Sequence, residues 1–179
     1  MADGRKTRDE GAAAGRGGGA PSRMNTVNVA GFCGVALVGV VLDQATKAWA
    51  RTTLAGGRVT VVPDVLDLVL VKNTGAAFSI GSGSTWVFAL LAVGIVAACA
   101  AWVLRERTLP APLACALGAV AGGGVGNLID RVAAGEVTDF FATTFMDFPV
   151  FNVADIFVTC GVVLVIWLWW RWEGERPAA

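Results

Sequence analysis

The sequence predicts an all-α membrane protein: four transmembrane helices, with two short strands between the first and second. Three observations predict it. Of the 179 residues, 55% are hydrophobic and only 16% are charged, a profile of membrane proteins. Four long apolar runs divide the chain. The polar side chains that interrupt this pattern fall at the ends of those runs that share one side of the membrane.

Residues 1 to 23 are rich in Gly, Ala and Arg and hold almost no large apolar residue. Such a segment buries too little surface to fold and is expected to be disordered. The first apolar run covers about 27–47 with its polar end, Asp43-Gln44-Ala45-Thr46-Lys47. A basic tail, a short apolar core and Ala48-x-Ala50 also fit a cleaved secretory signal, but the long tail and the Asp43 to Lys47 block favour a retained span. Val59 to Val62 and Leu66 to Val71 are β-branched and apolar around Pro63-Asp64, and predict two strands joined by a turn. Lys72 to Phe78 follows as a loop, and Gly81 to Ser84 leads into the second span, about 85–104. Pro110 and Pro112 open the third, about 110–130. Residues 132 to 152 are mixed, with Glu136, Asp139 and Asp147 among Phe residues. The fourth span, about 153–171, ends in a Trp cluster of the kind found at membrane interfaces, and 173–179 form a short tail. The domain expected to fold is 24–172.

Four spans put both termini on one side. That side carries nine Lys and Arg residues against five on the other, which favours cytoplasmic termini. Asp43 and Lys47 then lie at the outer end of span 1, and Asn73 to Phe78 lie outside. Asp130 is about 28 Å along span 3, and Asp155 returns from the same face. All four blocks converge on the extracytoplasmic end.

Each block has an ordinary structural reading. Asn152 and Asp155 have the spacing of a helix capping box. Asp130-Arg131 could be a helix-end ion pair, and Asp43 and Lys47 an i, i+4 salt bridge. Gly122, Gly123, Gly124 and Gly126 suit close helix packing. The four cysteines (Cys33, Cys99, Cys115 and Cys160) lack metal-ligand spacing and read as packing residues. The clustering of polar blocks at one end points beyond these readings to a shared site.

The chain has no His, which excludes Ser-His-Asp and Cys-His catalysis and His-ligated metal sites within it. A net charge of zero gives no sign of nucleic-acid binding. Carboxylates near a membrane interior cost several kcal/mol on most scales and mark function. Two that come close share a proton, so one activates water while the other protonates a leaving nitrogen. Such proteolysis needs no metal or cofactor. Asp130 and Asp155 are the expected pair, with Asp155 as base because it begins a helix and Asp130 as acid because it ends one.

The blocks Asp43-x-x-x-Lys47, Asn73-x-Gly75-Ala76-Ala77-Phe78, Gly122-Gly123 with Gly126-Asn127-x-x-Asp130-Arg131, Val137-x-Asp139-Phe140 and Phe151-Asn152-x-Ala154-Asp155 occur in this order. In them the chain resembles lipoprotein signal peptidase (signal peptidase II) over about residues 27 to 172. The resemblance implies four transmembrane helices with a small extracytoplasmic β-cradle between helices 1 and 2. It implies Asp130 and Asp155 as the catalytic pair. Asn73, Asn127, Arg131 and Asn152 would line the site, and Asp43 and Lys47 would support it. Gly75, Asp139 and Ala154 belong to the same blocks. The substrate would be a diacylglyceryl-modified prolipoprotein in the bacterial cell membrane, cut just before the lipidated cysteine, and globomycin would inhibit. Ile156 departs from the Ser common at that position.

The main competing class is a proton-coupled transporter, since buried carboxylates also mark proton paths. No internal repeat supports it, and the carboxylates lie near one face rather than at the midplane.

Overall fold

The helices follow the apolar runs of the sequence. The computed structural model describes residues 23–75 and 85–175. The expected tail before residue 23, the loop residues Ala76 to Phe78, the 81–84 linker and the last four residues lie outside these.

Among the described residues, four helices are long and apolar enough to cross a membrane: α1 (Arg23–Thr53), α2 (Thr85–Arg105), α3 (Ala111–Ala134) and α4 (Val153–Gly174). Three strands, β1 (Val59–Val62), β2 (Leu66–Asn73) and β3 (Val137–Thr143), form one antiparallel sheet in the order β1-β2-β3. β1 and β2 form a hairpin with Val59 opposite Leu68. β3 joins β2 with Val71 opposite Asp139 and Asn73 opposite Val137.

Two expectations need correction. The sheet is not built only between helices 1 and 2: its third strand comes from the segment between α3 and α4, read from sequence as merely mixed. Val137 to Phe140 are buried on both strand faces, so the polar/apolar alternation of a half-exposed strand is missing. The second correction concerns α1. It does not end near Lys47 but runs to Thr53, about 46 Å in all, well over a hydrocarbon thickness of about 30 Å. Asp43 and Lys47 therefore sit inside the helix, and its last turns rise to meet the sheet.

α3 is the most buried helix and the one against which the others pack. Its small residues permit this. A Cβ on Gly122 would lie 2.9 Å from Ala36 Cα of α1, and one on Gly123 would lie 2.8 Å from Val158 Cγ2 of α4. Below this contact, Leu113, Leu117 and Val120 of α3 pack with Cys99 and Val103 of α2 in an apolar core. At the other end, Ala50 of α1 and Leu54, which opens the short 3-10 turn after it, pack on Phe140 of β3. That second cluster joins sheet to bundle and holds β3 over the ends of the helices.

Candidate active site

The site forms where α1, α3, β3 and the start of α4 meet. α4 begins with a full capping box. The Asn152 side chain accepts from Asp155 N at 3.0 Å, and Asp155 Oδ2 accepts from Asn152 N at 3.1 Å. The ordinary reading of this pair is therefore correct, and the cap also fixes the Asp155 carboxylate in the first helical turn. Asp43 adds a bond from α1: its Oδ1 accepts from Ala154 N at 3.0 Å. Ala154 is itself fully buried against α3.

Asp155 Oδ1 accepts from Asn127 Nδ2 at 2.8 Å. Asn127 Oδ1 in turn accepts from Lys47 Nζ at 2.8 Å and from Asn152 Nδ2 at 3.0 Å. This orients the Asn127 amide: with a cation on its oxygen, its N–H₂ faces the carboxylate. Lys47 is fully buried and pairs with Asp43 at 2.8 Å and Asp130 at 3.3 Å.

Asp139 approaches from β3. Its Oδ1 accepts from Asn152 Nδ2 at 2.7 Å and its Oδ2 from Asn73 Nδ2 at 2.9 Å. Burial, with the charge of Asp155 as a further cause, pushes its pKa up to about 6 against the pull of the two amides. Asn73 Oδ1 also accepts from Gly75 N at 2.9 Å, and Gly75 O accepts from Arg131 Nη2 at 3.3 Å. The Arg131 guanidinium lies 5.7 Å from the centre of the Phe88 ring.

Asp139, Asp155, Asn73, Asn127 and Arg131 line one cavity of about 480 Å³. Its apolar walls are Phe148 to Phe151 on one side, and Ile156 with the Thr159–Cys160 stretch of α4 on the other. Sequence reasoning missed Phe148 to Val150 and Thr159. The apolar run preceding Asn152 and the i, i+3 spacing of Ile156 and Thr159 were the available signals.

Asp130 does not line this cavity. Its Oδ1 accepts from Arg51 Nη2 at 2.9 Å and its Oδ2 from Thr138 N at 3.0 Å, with Lys47 beside it. The expected meeting of Asp130 with Asp155 gives way to a meeting of Asp139 with Asp155. The cause is rotation about α3. Asn127 and Arg131, one turn apart, face the cavity, while Asp130 is turned about 100° from Arg131 toward α1. Asp130 is also not the end of its helix, which continues to Ala134.

Comparison with known proteins gives consistent results. The family model for signal peptidase (SPase) II matches residues 35–171. The lipoprotein signal peptidase of Lactococcus lactis subsp. cremoris (strain MG1363) is 40% identical over 132 residues, 73% of this chain and 87% of that protein. The lipoprotein signal peptidase of Bifidobacterium longum subsp. infantis is 44% identical over 152 residues, 80% of each. A bacterial membrane enzyme solved by the in meso method at 2.3 Å superposes with a TM-score of 0.73, at 32% identity over 83% of this chain and 93% of that one. A second, solved by the same method at 1.9 Å, gives 0.68 at 35% identity over 75% and 89%. The family match runs from within α1 to the last turns of α4 and so takes in every element that lines the cavity: the chain is a multi-pass membrane protein that belongs to the signal peptidase II family of peptidases.

Proposed function

We propose that this peptidase is an aspartic endopeptidase that removes the signal peptide from diacylglyceryl-modified prolipoproteins, cutting just before the lipidated cysteine, with Asp139 and Asp155 as the reacting carboxyls. The observation that carries the assignment is that these two carboxyls face one cavity and are tied to one residue, Asn152. Asp155 is the base. It sits in the first turn of α4 and accepts from Asn127 Nδ2 and Asn152 N, which hold its oxygens toward the cavity. Asp139, with its pKa raised to about 6, is the acid.

Water held between the carboxyls gives its proton to Asp155 as its oxygen attacks the scissile carbonyl carbon. Asp139 then gives its proton to the leaving nitrogen as the C–N bond breaks. The products are a carboxylate on the signal peptide and a free amine on the cysteine. The new carboxylic acid loses its proton to solvent, and the proton on Asp155 passes through the next water to Asp139, which restores the starting state. Arg131 and Asn73 offer donors to the substrate backbone from the cavity wall. The apolar walls suit the signal peptide and lipid, and a globomycin-like cyclic peptide would compete there. The charge bias supports cytoplasmic termini and an extracytoplasmic site. Asp130 replaces neither carboxyl in this reading; it holds β3 to α1.

The test is cleavage of a diacylglyceryl-modified prolipoprotein by folded wild type, Asp139→Asn, Asp155→Asn and Asp130→Asn. The first two variants are expected to lose about 10³-fold or more in kcat, as removal of an essential acid or base does. Asp130→Asn is expected to retain measurable turnover. An inactive Asp130→Asn beside an active Asp139→Asn would return the role to Asp130.

A further inference from the structure

β3 presents its two faces to different partners. Successive side chains of a strand point to opposite sides. Asp139 turns into the cavity, whereas Thr138 and Phe140 turn toward the last turns of α1. Phe140 packs on Ala50 and Leu54. Arg51 lies between those two in sequence and takes hold of Thr138: its Nε donates to Thr138 Oγ1 at 2.8 Å, and its Nη2 donates to Asp130 Oδ1 at 2.9 Å. Asp130 Oδ2 closes the ring by accepting from Thr138 N at 3.0 Å. Both the side chain and the backbone of the residue before Asp139 are thus held from behind.

We propose that Arg51 is a positioning residue for the peptidase reaction, fixing the strand that carries Asp139 through Thr138 and Asp130. The proposal rests on the reading of Asp139 as a reacting carboxyl. A guanidinium suits the task because its planar fork meets a hydroxyl and a carboxylate at once, which an ammonium on a flexible stem does not. Arg51 itself is 44% exposed while Asp130 is buried beside Lys47, so removing the guanidinium leaves the carboxylate a counter-ion. The fold can survive the loss, and the site feels it. A displacement of about 1 Å in a reacting group costs up to about 10²-fold in rate.

The experiment measures kcat and KM of the full chain on a diacylglyceryl-modified prolipoprotein. Arg51→Met is expected to lower kcat about tenfold, a fraction of the loss that full misplacement brings, with KM within about twofold. Arg51→Lys should recover part of the loss. Thr138→Val should also lower kcat, and the double variant should be no slower than the slower single, because both act through one ring. A folded Arg51→Met with wild-type kcat would overturn the proposal. So would losses that multiply in the double variant, or a change confined to KM. If Arg51→Met does not fold, Arg51→Lys and Thr138→Val decide, and wild-type kcat in both overturns it. Asp139→Asn separates the two levels. Should it stay active, the reading of Asp139 fails; should it be inactive while Arg51→Met is unaffected, only the role of Arg51 fails.

Discussion

Asn152 donates its side-chain N–H to Asp139 Oδ1 at 2.7 Å, tying the residue that caps α4 to the middle of β3. The same residue bonds Asp155 through its backbone, so one asparagine sets the spacing of both carboxyls. Serine caps a helix as well as asparagine, but its hydroxyl is too short to reach Asp139. Asn152→Ser and Asn152→Ala should both lose turnover by about tenfold, the factor that matches one lost hydrogen bond. Only Asn152→Ala should also lose the cap, costing about 1 kcal/mol in stability. Cleavage rates with thermal unfolding in detergent check this. An Asn152→Ser enzyme at wild-type speed would show that the bond to Asp139 has no part in turnover.

Asp139 sets a pH dependence with a definite sign. Its pKa in the folded protein is about 6 against an ordinary 3.8, so the native state binds the proton more tightly than the unfolded chain. Its contribution to stability is then greatest at low pH, falls as pH rises between these values and is flat above, by on the order of 3 kcal/mol in total. Asp139→Asn should remove that slope, which unfolding midpoints between pH 4 and pH 7 will read. Activity follows the same proton. With Asp139 as acid, kcat/KM should decline on the alkaline side with an apparent pKa near 6 that belongs to the pair. A profile that rises through this range would reverse the roles of the two carboxyls.

Sequence and structure agree most closely where the signal is local. The Asn152 cap is set within four residues, and the β1–β2 hairpin within fifteen, so pattern and turn chemistry suffice to find them. The partner of Asp155 is not a local property. Asp130 and Asp139 lie nine positions apart in neighbouring blocks, and both are buried. What separates them is the rotation of α3, which turns Asp130 toward Lys47 and Arg51, and the pairing of β3 with β2, which brings Asp139 beside Asn73. A helix-end argument cannot see either. Arg51 was equally hidden: as one basic residue at the end of a span, it has no sequence mark until the strand behind Asp139 is in place.

Gly126 lets Asp43 reach α4. A Cβ at position 126 would lie 2.5 Å from Asp43 Oδ2 and 3.0 Å from Asp43 Cγ. The displaced carboxylate would lose Ala154 N and strain its pairing with Lys47. Gly126→Ala should therefore destabilise by about 1–3 kcal/mol, as overpacking does, and lower activity. Gly34→Ala in α1, where nothing lies within 4 Å of the added methyl, should be neutral or slightly stabilising. Equal unfolding midpoints for the two variants would mean that α1 and α4 separate at little cost.

Lys47 joins α1 to two polar side chains of α3. Its ammonium is fully buried between Asp43 and Asp130 and also holds Asn127 Oδ1. Lys47→Met keeps the length of the side chain but leaves two carboxylates short of a partner, a change that costs about 3–5 kcal/mol when a buried pair is broken. It also frees the Asn127 amide to turn its oxygen toward Asp155, which would repel the carboxylate it now supports. The two effects are separable. Adding Asp43→Asn to Lys47→Met removes one orphaned charge and should recover part of the stability, while turnover stays low because Asn127 remains unoriented. Unfolding midpoints and cleavage rates for the single and double variants test this. Recovery of turnover in step with stability would mean that Lys47 serves the fold alone and that Asn127 is oriented by Asn152.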